Sequence, residues 1–374
     1  LIKKLCVKSI SGEQKRMRTV YEVMDTADSA YILQKGKLIF ELSPKDRYTV
    51  EGKEIIFGAE EPFIASMNNS DEYFRFQTVL AEDEALIKKI PLENLYRVIG
   101  VYNIGYSITK NIARCLEITN RMYIAKEKKL SGHEISAKEF ARIYVDVIDA
   151  LKDAFGKYRT TWLAEIIDRY SNSLVFAKGQ AFRIGSGRSD FKLDIDQLDD
   201  LTFNLKAGSI LCEEGDAGQE MYILNRGNLQ VFIGGKKVFD IFDPGTVIGE
   251  MALLLGAKRT ATIKTVTDCN ITIVKRENLE EVAKSNKDFF LKMAANLGQR
   301  LEHNCMLIRE TSSLLEESEY ADTPEAPKER TSYKELLTML RELERYEIKY
   351  KSNWLSSILN SAKARINKVR DIYA

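Results

Sequence analysis

The chain has little of what most metalloenzymes, secreted proteins and membrane proteins are built from. Its two histidines, His133 and His303, lie far apart in sequence. Neither has a cysteine or carboxylate at ligand spacing, so both read as ordinary helix or surface residues and no metal site is expected. The five cysteines, Cys6, Cys115, Cys212, Cys269 and Cys305, are odd in number, scattered and without a CxxC pair. They read as reduced thiols in a cytoplasmic protein. No apolar run reaches membrane-spanning length, and the opening LIKKLCVKSI is too short and too polar for a signal peptide. Without an initiator Met, residues preceding Leu1 are expected. With 56 basic against 55 acidic residues, the net charge of +1 gives no whole-chain bias toward nucleic acid or anionic membrane. No P-loop, kinase motif set or nucleophile constellation appears, so an autonomous enzyme is not expected. A length of 374 residues allows two or three domains.

What the chain does have is GEMALLLGAKRTAT, from Gly249 to Thr262. Gly249 suits a close turn of the backbone around a ligand. Glu250 opens a short apolar helical turn through Met251, Ala252, Leu253 and Leu254, whose free N–H groups favour an anion. Arg259 follows, with a planar guanidinium able to grip two phosphate oxygens, before Thr260, Ala261 and Thr262 resume an extended pattern. A carboxylate beside a phosphate would repel it. Glu250 therefore fits if it accepts hydrogen bonds from sugar hydroxyls while Arg259 neutralises a single phosphate charge, a combination that describes a cyclic nucleotide.

The segment resembles the phosphate-binding cassette of the cyclic nucleotide-binding domain family, which includes kinase regulatory domains and bacterial catabolite activators. The resemblance implies that Gly249 and Glu250 hold the ribose 2′-hydroxyl, that the Ala252 N–H meets the phosphate, and that Arg259 pairs with it. Ile248, Met251, Thr260 and Ala261 complete the candidate ligand-binding set. The flanking Phe203 to Ile233 stretch is similar to the family's glycine-punctuated roll, with Gly208, Gly215, Gly218 and Gly227 at turns. A surface salt bridge for Arg259 would leave Gly249 and Ala252 unexplained. A hydroxyl directly after the arginine resembles receptors that accept cGMP, but Thr260 reads equally as a β-branched strand residue. The expected ligand is cAMP or cGMP.

YILQKGKL (Tyr31 to Leu38) aligns with YILNRGNL (Tyr222 to Leu229) at an offset of 191, and at the same offset Ile55 to Gly58 falls on Thr246 to Gly249. A second roll is expected in the N-terminal part. Its cassette departs where chemistry would be needed, because Gly58 is followed by Ala59, Glu60, Glu61 and Pro62. The proline should interrupt the helical turn. Arg75 lies seventeen residues after Gly58, against ten between Gly249 and Arg259. It is a candidate remnant of the phosphate arginine, but reads rather as a strand-edge residue paired to one of Glu60, Glu61, Asp71 or Glu72, and the domain reads as structural, with a different ligand as the alternative.

The fold expected is α+β: two cyclic-nucleotide-binding-type β-rolls (jelly-roll) joined by a helical connector, with long C-terminal helices. The boundaries are a degenerate roll at 1–90, the connector at 91–184, the ligand-binding roll at 185–277, its C-terminal helices at 278–318, a linker at 319–331 and one amphipathic helix at 332–374. Gly185 and Gly187 mark the loop leading into the second roll. A capping box at Ser136 and Glu139, with Ile135 and Phe140 as a staple, opens the clearest connector helix, and Ser332 with Glu335 opens the last helix. The stripe Leu336, Leu340, Leu343, Tyr350, Trp354, Ile358, Ala362, Ile366 and Val369 must bury itself on the chain's own domains or on a partner.

The function expected is a non-enzymatic cyclic nucleotide receptor that signals through adjacent helices to a protein partner or by self-association. A scaffold that no longer needs ligand is the alternative. A DNA-binding regulator is a third reading. Against it, no glycine follows Gly298 and no helix-turn-helix with a wing is discernible.

Overall fold

The structure is a computed structural model that describes residues 17–70, 72–182, 201–321 and 331–373. Cys6, Asp71, the Gly185 and Gly187 loop and most of the 319–331 linker lie outside the described residues.

The N-terminal sheet is six-stranded and antiparallel. It is built around a long β2 (Ser29–Ser43), with β1 (Met17–Tyr21), β3 (Asp46–Gly52), β4 (Ile55–Phe57), β5 (Thr78–Glu82) and β6 (Leu86–Pro91). A helix, α1 (Glu60–Met67), stands between β4 and β5. Pro62 does not interrupt it, contrary to expectation: it falls in the first turn, where a backbone N–H has no intrahelical partner to lose.

The second set of strands makes two four-stranded antiparallel sheets. They comprise β7 (Thr202–Leu205), β8 (Ile210–Cys212), β9 (Glu220–Arg226), β10 (Leu229–Ile233), β11 (Lys236–Ile241), β12 (Val247–Ile248), β13 (Thr262–Thr265) and β14 (Cys269–Lys275). Their orders are β11-β10-β13-β8 and β12-β9-β14-β7. Inward residues such as Leu224, Leu229, Val231, Ile263 and Ile271 meet in one apolar cluster, as the two-residue period of a strand requires. A short helix, α7 (Glu250–Leu255), leads out of β12.

The two strand sets pair in matching register. Tyr31 faces Phe57 and Ile32 faces Ile56, as Tyr222 faces Ile248 and Ile223 faces Val247. Tyr21 faces Val79 and Thr19 faces Leu80, as Cys212 faces Ile263 and Ile210 faces Lys264. Adding 191 before the Gly58 turn and 184 after Arg75 carries one set onto the other. The seven-residue difference is the excess of the Gly58-to-Arg75 interval over the Gly249-to-Arg259 interval.

Between the strand sets run α2 (Leu92–Ile99), α3 (Tyr102–Glu127), α4 (Gly132–Tyr158), α5 (Thr161–Ser171) and α6 (Leu174–Phe182). The capping box of α4 is made by Ser131 and Glu134, five residues before the predicted Ser136 and Glu139. Ser136 lies inside the helix and donates its hydroxyl to the Gly132 carbonyl. Ser131 too is followed three residues on by a glutamate, and Gly132, a weak helix former, takes the first helical position.

After the second strand set come α8 (Leu279–Ser285), α9 (Phe289–Ala321), α10 (Thr331–Tyr350) and α11 (Asn353–Tyr373). The predicted single C-terminal helix is thus a helical hairpin, broken at Lys351, whose φ of 49° is left-handed. Ser332 falls inside α10 rather than at its cap. Leu336, Leu340, Leu343, Ala362, Ile366 and Val369 are buried against Phe140, Tyr144, Ile148 and Leu151 of α4, and Trp354 and Ile358 pack partly on the same core, so most of this stripe is covered by the chain itself, whereas Tyr350 is exposed.

Helix α9, about 50 Å long at 1.5 Å per residue, ties the parts together. Its Phe290, Met293, Leu297, Leu301 and Ile308 share one core with Phe63 and Ile64 of α1, with α3, and with Leu253 and Leu254 of α7. Further along, Leu307 and Leu314 enter the α4, α10 and α11 core. Polar contacts fasten the same helix to the N-terminal sheet. Ser312 donates to Asp46, Arg309 donates to the Leu42 and Phe76 carbonyls, and Tyr73 donates to Glu302.

Candidate functional site

The candidate site is built where β12 ends. Gly249 takes φ +80°, ψ 9° and caps α7. This left-handed conformation is nearly free for glycine and strained for a residue with a Cβ. A side chain would also collide with the guanidinium of Arg259, since an added Cβ would lie 2.1 Å from its Nη1.

Arg259 is buried, with 6% exposure. Its backbone is fixed by the turn before β9: its N–H donates to Asp216 and its carbonyl accepts from Gly215. Its Nη1 donates to the Gly249 carbonyl at 3.2 Å, and Nη2 donates to the Glu220 carbonyl at 2.8 Å and to the Tyr222 hydroxyl at 3.2 Å. The cation also sits over the Tyr222 ring, 4.9 Å from its centroid. Burial, followed by the hydrogen bond to Glu220, pushes the Tyr222 phenol well above its usual range, so the hydroxyl stays protonated. Among the described residues no carboxylate pairs with Arg259. A desolvated guanidinium held by neutral oxygens is a cation still short of its anion.

Glu250 is buried at the start of α7 and is held by Arg300 of α9. Ala252 is buried beside Gly218, where an added Cβ would lie 2.2 Å from the Ala252 Cβ. Helix α7 is anchored at its far end, where Arg276 donates to the Leu253 carbonyl and the Tyr106 hydroxyl of α3 donates to Leu254. The structure therefore gathers Gly249, Glu250, Ala252 and Arg259 around one turn. Ile248 packs in the interior of the second strand set, whereas Met251 packs on the core shared with α3 and α9. Thr260, exposed, and Ala261, half-buried, lie in the bend before β13 rather than on a strand, so the extended pattern expected from Thr260 starts only at Thr262. Sequence reasoning missed Glu220, Tyr222 and Arg300. Tyr222 could have been found, because it heads the repeated octapeptide.

The corresponding turn of the N-terminal sheet repeats these contacts. Gly58 is also left-handed, at φ +65°, and Arg75 donates Nη1 to its carbonyl at 2.8 Å and Nη2 to the Ser29 carbonyl. Ser29 and Tyr31 stand where Glu220 and Tyr222 stand in the other set. The expectation that Arg75 pairs with a carboxylate is met by Glu61, at 2.9 Å. Its placement at a strand edge is not, because Arg75 lies in the loop before β5 with 1% exposure, covered by the Tyr21 ring 4.3 Å away.

Residues 202–286 match the family model described as "Cyclic nucleotide-binding domain". This segment is a cyclic nucleotide-binding domain. Relatives of the domain include a cyclic nucleotide-gated channel of Caenorhabditis elegans, 38% identical over 79 residues, which are 19% of this chain and 11% of the channel. A cGMP-dependent protein kinase of Drosophila melanogaster is 32% identical over 76 residues, covering 20% of this chain and 7% of the kinase. The chain thus spans about a tenth of the length of the curated relatives it matches. Among solved structures, a cyclic nucleotide-binding-like protein from Brucella abortus is 24% identical, with 22% of this chain and 72% of that one covered and a TM-score of 0.21. No helix among the described residues is long and apolar enough to cross a membrane, and no three His, Cys, Asp or Glu side chains cluster there to hold a metal.

Proposed function

We propose that the domain at 202–286 binds cAMP or cGMP, with Arg259 and the Ala252 N–H on the phosphate and Gly249 with Glu250 on the ribose hydroxyls. The observation that carries this reading is the buried Arg259, aimed into the Gly249 turn and satisfied only by two carbonyls and a phenol. A single-charge phosphodiester supplies what that cation lacks. Relatives named as a cyclic nucleotide-gated channel and a cGMP-dependent kinase support the ligand class. The N-terminal sheet is a second roll of the same lineage without a ligand site, as its matching register supports.

The chain acts as a cytoplasmic receptor rather than an enzyme. Occupancy is reported through Arg300, because ribose hydroxyls and Arg300 compete for the same carboxylate and α9 carries the outcome to the helices that meet a protein partner. Ligand shifts this equilibrium only by its differential affinity for the two arrangements. Calorimetric titration with cAMP and with cGMP tests the reading. Arg259→Ala is expected to lose about 2 to 5 kcal/mol of binding, as other truncated charge pairs do. Absence of heat for both nucleotides at millimolar concentration would leave the scaffold reading in its place.

A further inference from the structure

We infer that the N-terminal unit carries its own ligand: the Glu61 carboxylate stands on Arg75 where, in the second roll, a nucleotide phosphate would stand on Arg259. The inference rests on the proposed role of Arg259, and its argument is positional. Glu61 follows Gly58 by three residues, as Ala252 follows Gly249. The small residue of one turn is thus a glutamate in the other, and its side chain reaches the guanidinium at 2.9 Å.

The rest of the pocket changes in the same sense. Tyr21 occupies the register position of Cys212, facing Val79 as Cys212 faces Ile263. Its ring lies over Arg75 with 4% exposure and covers the guanidinium. Phe57 occupies the position of Ile248 and stacks on Tyr31, with ring centroids 5.5 Å apart. The three substitutions, each to a larger side chain, gather on Arg75 and on the rings beside it, and one of them brings the anion. Arginine, left-handed glycine and the two carbonyls are retained while the ligand's volume and charge are supplied from within.

A roll occupied in this way needs no nucleotide to hold its cassette helix in place. The docking of α9 fits that role. Helix α1, which bears Glu61, packs on α9 through Phe63 and Ile64, and Gly298 of α9 passes close to Glu60 and Ile64. The N-terminal unit is then a fixed seat for the helix whose other contact, Arg300 on Glu250, lies at the variable site.

Anion rescue of the full chain tests this. Glu61→Ala, refolded with increasing inorganic phosphate or propionate and followed by thermal unfolding, is expected to show a lowered melting temperature that both anions raise saturably. The parent chain with Glu61 intact and the Glu61→Ala, Arg75→Met double variant should not respond. Rescue by propionate without phosphate would reduce the pair to an ordinary salt bridge and overturn the inference, as would no rescue, or equal rescue of the double variant. Should Glu61→Ala not fold, Glu61→Gln keeps the volume. It is expected to be destabilised and largely restored by adding Arg75→Met, and a neutral Glu61→Gln would equally overturn it. All arms are read in an Arg259→Ala background, so that failure of the second site to bind nucleotide leaves this result intact.

Discussion

Replacing Gly249 by alanine should separate the backbone role of this residue from its role in seating Arg259. The new Cβ would lie 2.1 Å from Arg259 Nη1 and 3.3 Å from Cζ. Non-bonded heavy atoms settle at about 3.5 Å, so the guanidinium would have to withdraw by about 1.5 Å. That is more than its 3.2 Å bond to the Gly249 carbonyl can survive. The left-handed conformation costs an L-residue about 1 to 2 kcal/mol, and a buried charged donor losing its acceptor costs roughly 1 to 3 kcal/mol more. Gly256 supplies the control. It is left-handed too, at φ +63°, but a Cβ there would meet nothing closer than 3.9 Å. Urea unfolding and nucleotide calorimetry on both variants are the assay. Gly256→Ala should show only the backbone cost and unchanged affinity, whereas Gly249→Ala should be less stable still and bind at least about 30-fold more weakly, equivalent to about 2 kcal/mol. If the two variants match in stability and affinity, the glycine serves the turn alone and the argument for a guanidinium pressed against it fails.

Two further outcomes follow from the same contacts. Arg300 is 39% exposed and Glu250 8%, so their pair is worth about 1 kcal/mol after solvent screening. Arg300→Ala should therefore tighten nucleotide binding about fivefold, and weaker binding would show that Arg300 orients Glu250 instead of competing for it. Burial, and then the charge of Glu61, raise the Glu60 carboxyl from 4.5 to about 7. The folded chain keeps a proton there that the unfolded chain has released. Its contribution is thus fully present below pH 4.5 and is lost as pH rises toward 7, a fall of roughly 3 kcal/mol. Urea midpoints between pH 5 and pH 8 should drop accordingly, and Glu60→Gln should flatten the drop. An unaltered slope in that variant would place the titrating group elsewhere.

Much of the domain at 202–286 was legible because its signals are local. A glycine forced left-handed, an arginine ten residues later and a period-two alternation each speak within a few residues of one another. The turn at Gly58 was harder to read, since seven additional residues between Gly58 and Arg75 broke the spacing seen between Gly249 and Arg259. Strand register restores the correspondence, and register is a property of paired chains rather than of one segment. Partners contributed from afar left no mark: nothing near Glu250 announces Arg300, fifty residues on along a helix whose apolar stripe draws the attention. The C-terminal hairpin was missed for the opposite reason. Its stripe keeps helical spacing across the break, and Lys351 is not a residue type that usually ends a helix in the left-handed region.

The unbroken length of α9 gives the site mechanical advantage. From Gly298, seated on α1, to Leu314, inside the α4, α10 and α11 core, the helix runs sixteen residues, or about 24 Å. A tilt of about 5° about that seat would sweep Leu314 through about 2 Å. A close-packed core does not stretch by such a distance and answers by repacking into a second discrete arrangement. On the proposed reading, one ion pair made or lost at Glu250 would be geared up in this way to a step that the Arg309 and Ser312 contacts to the N-terminal sheet, and the far helices, would have to answer by changing their fit.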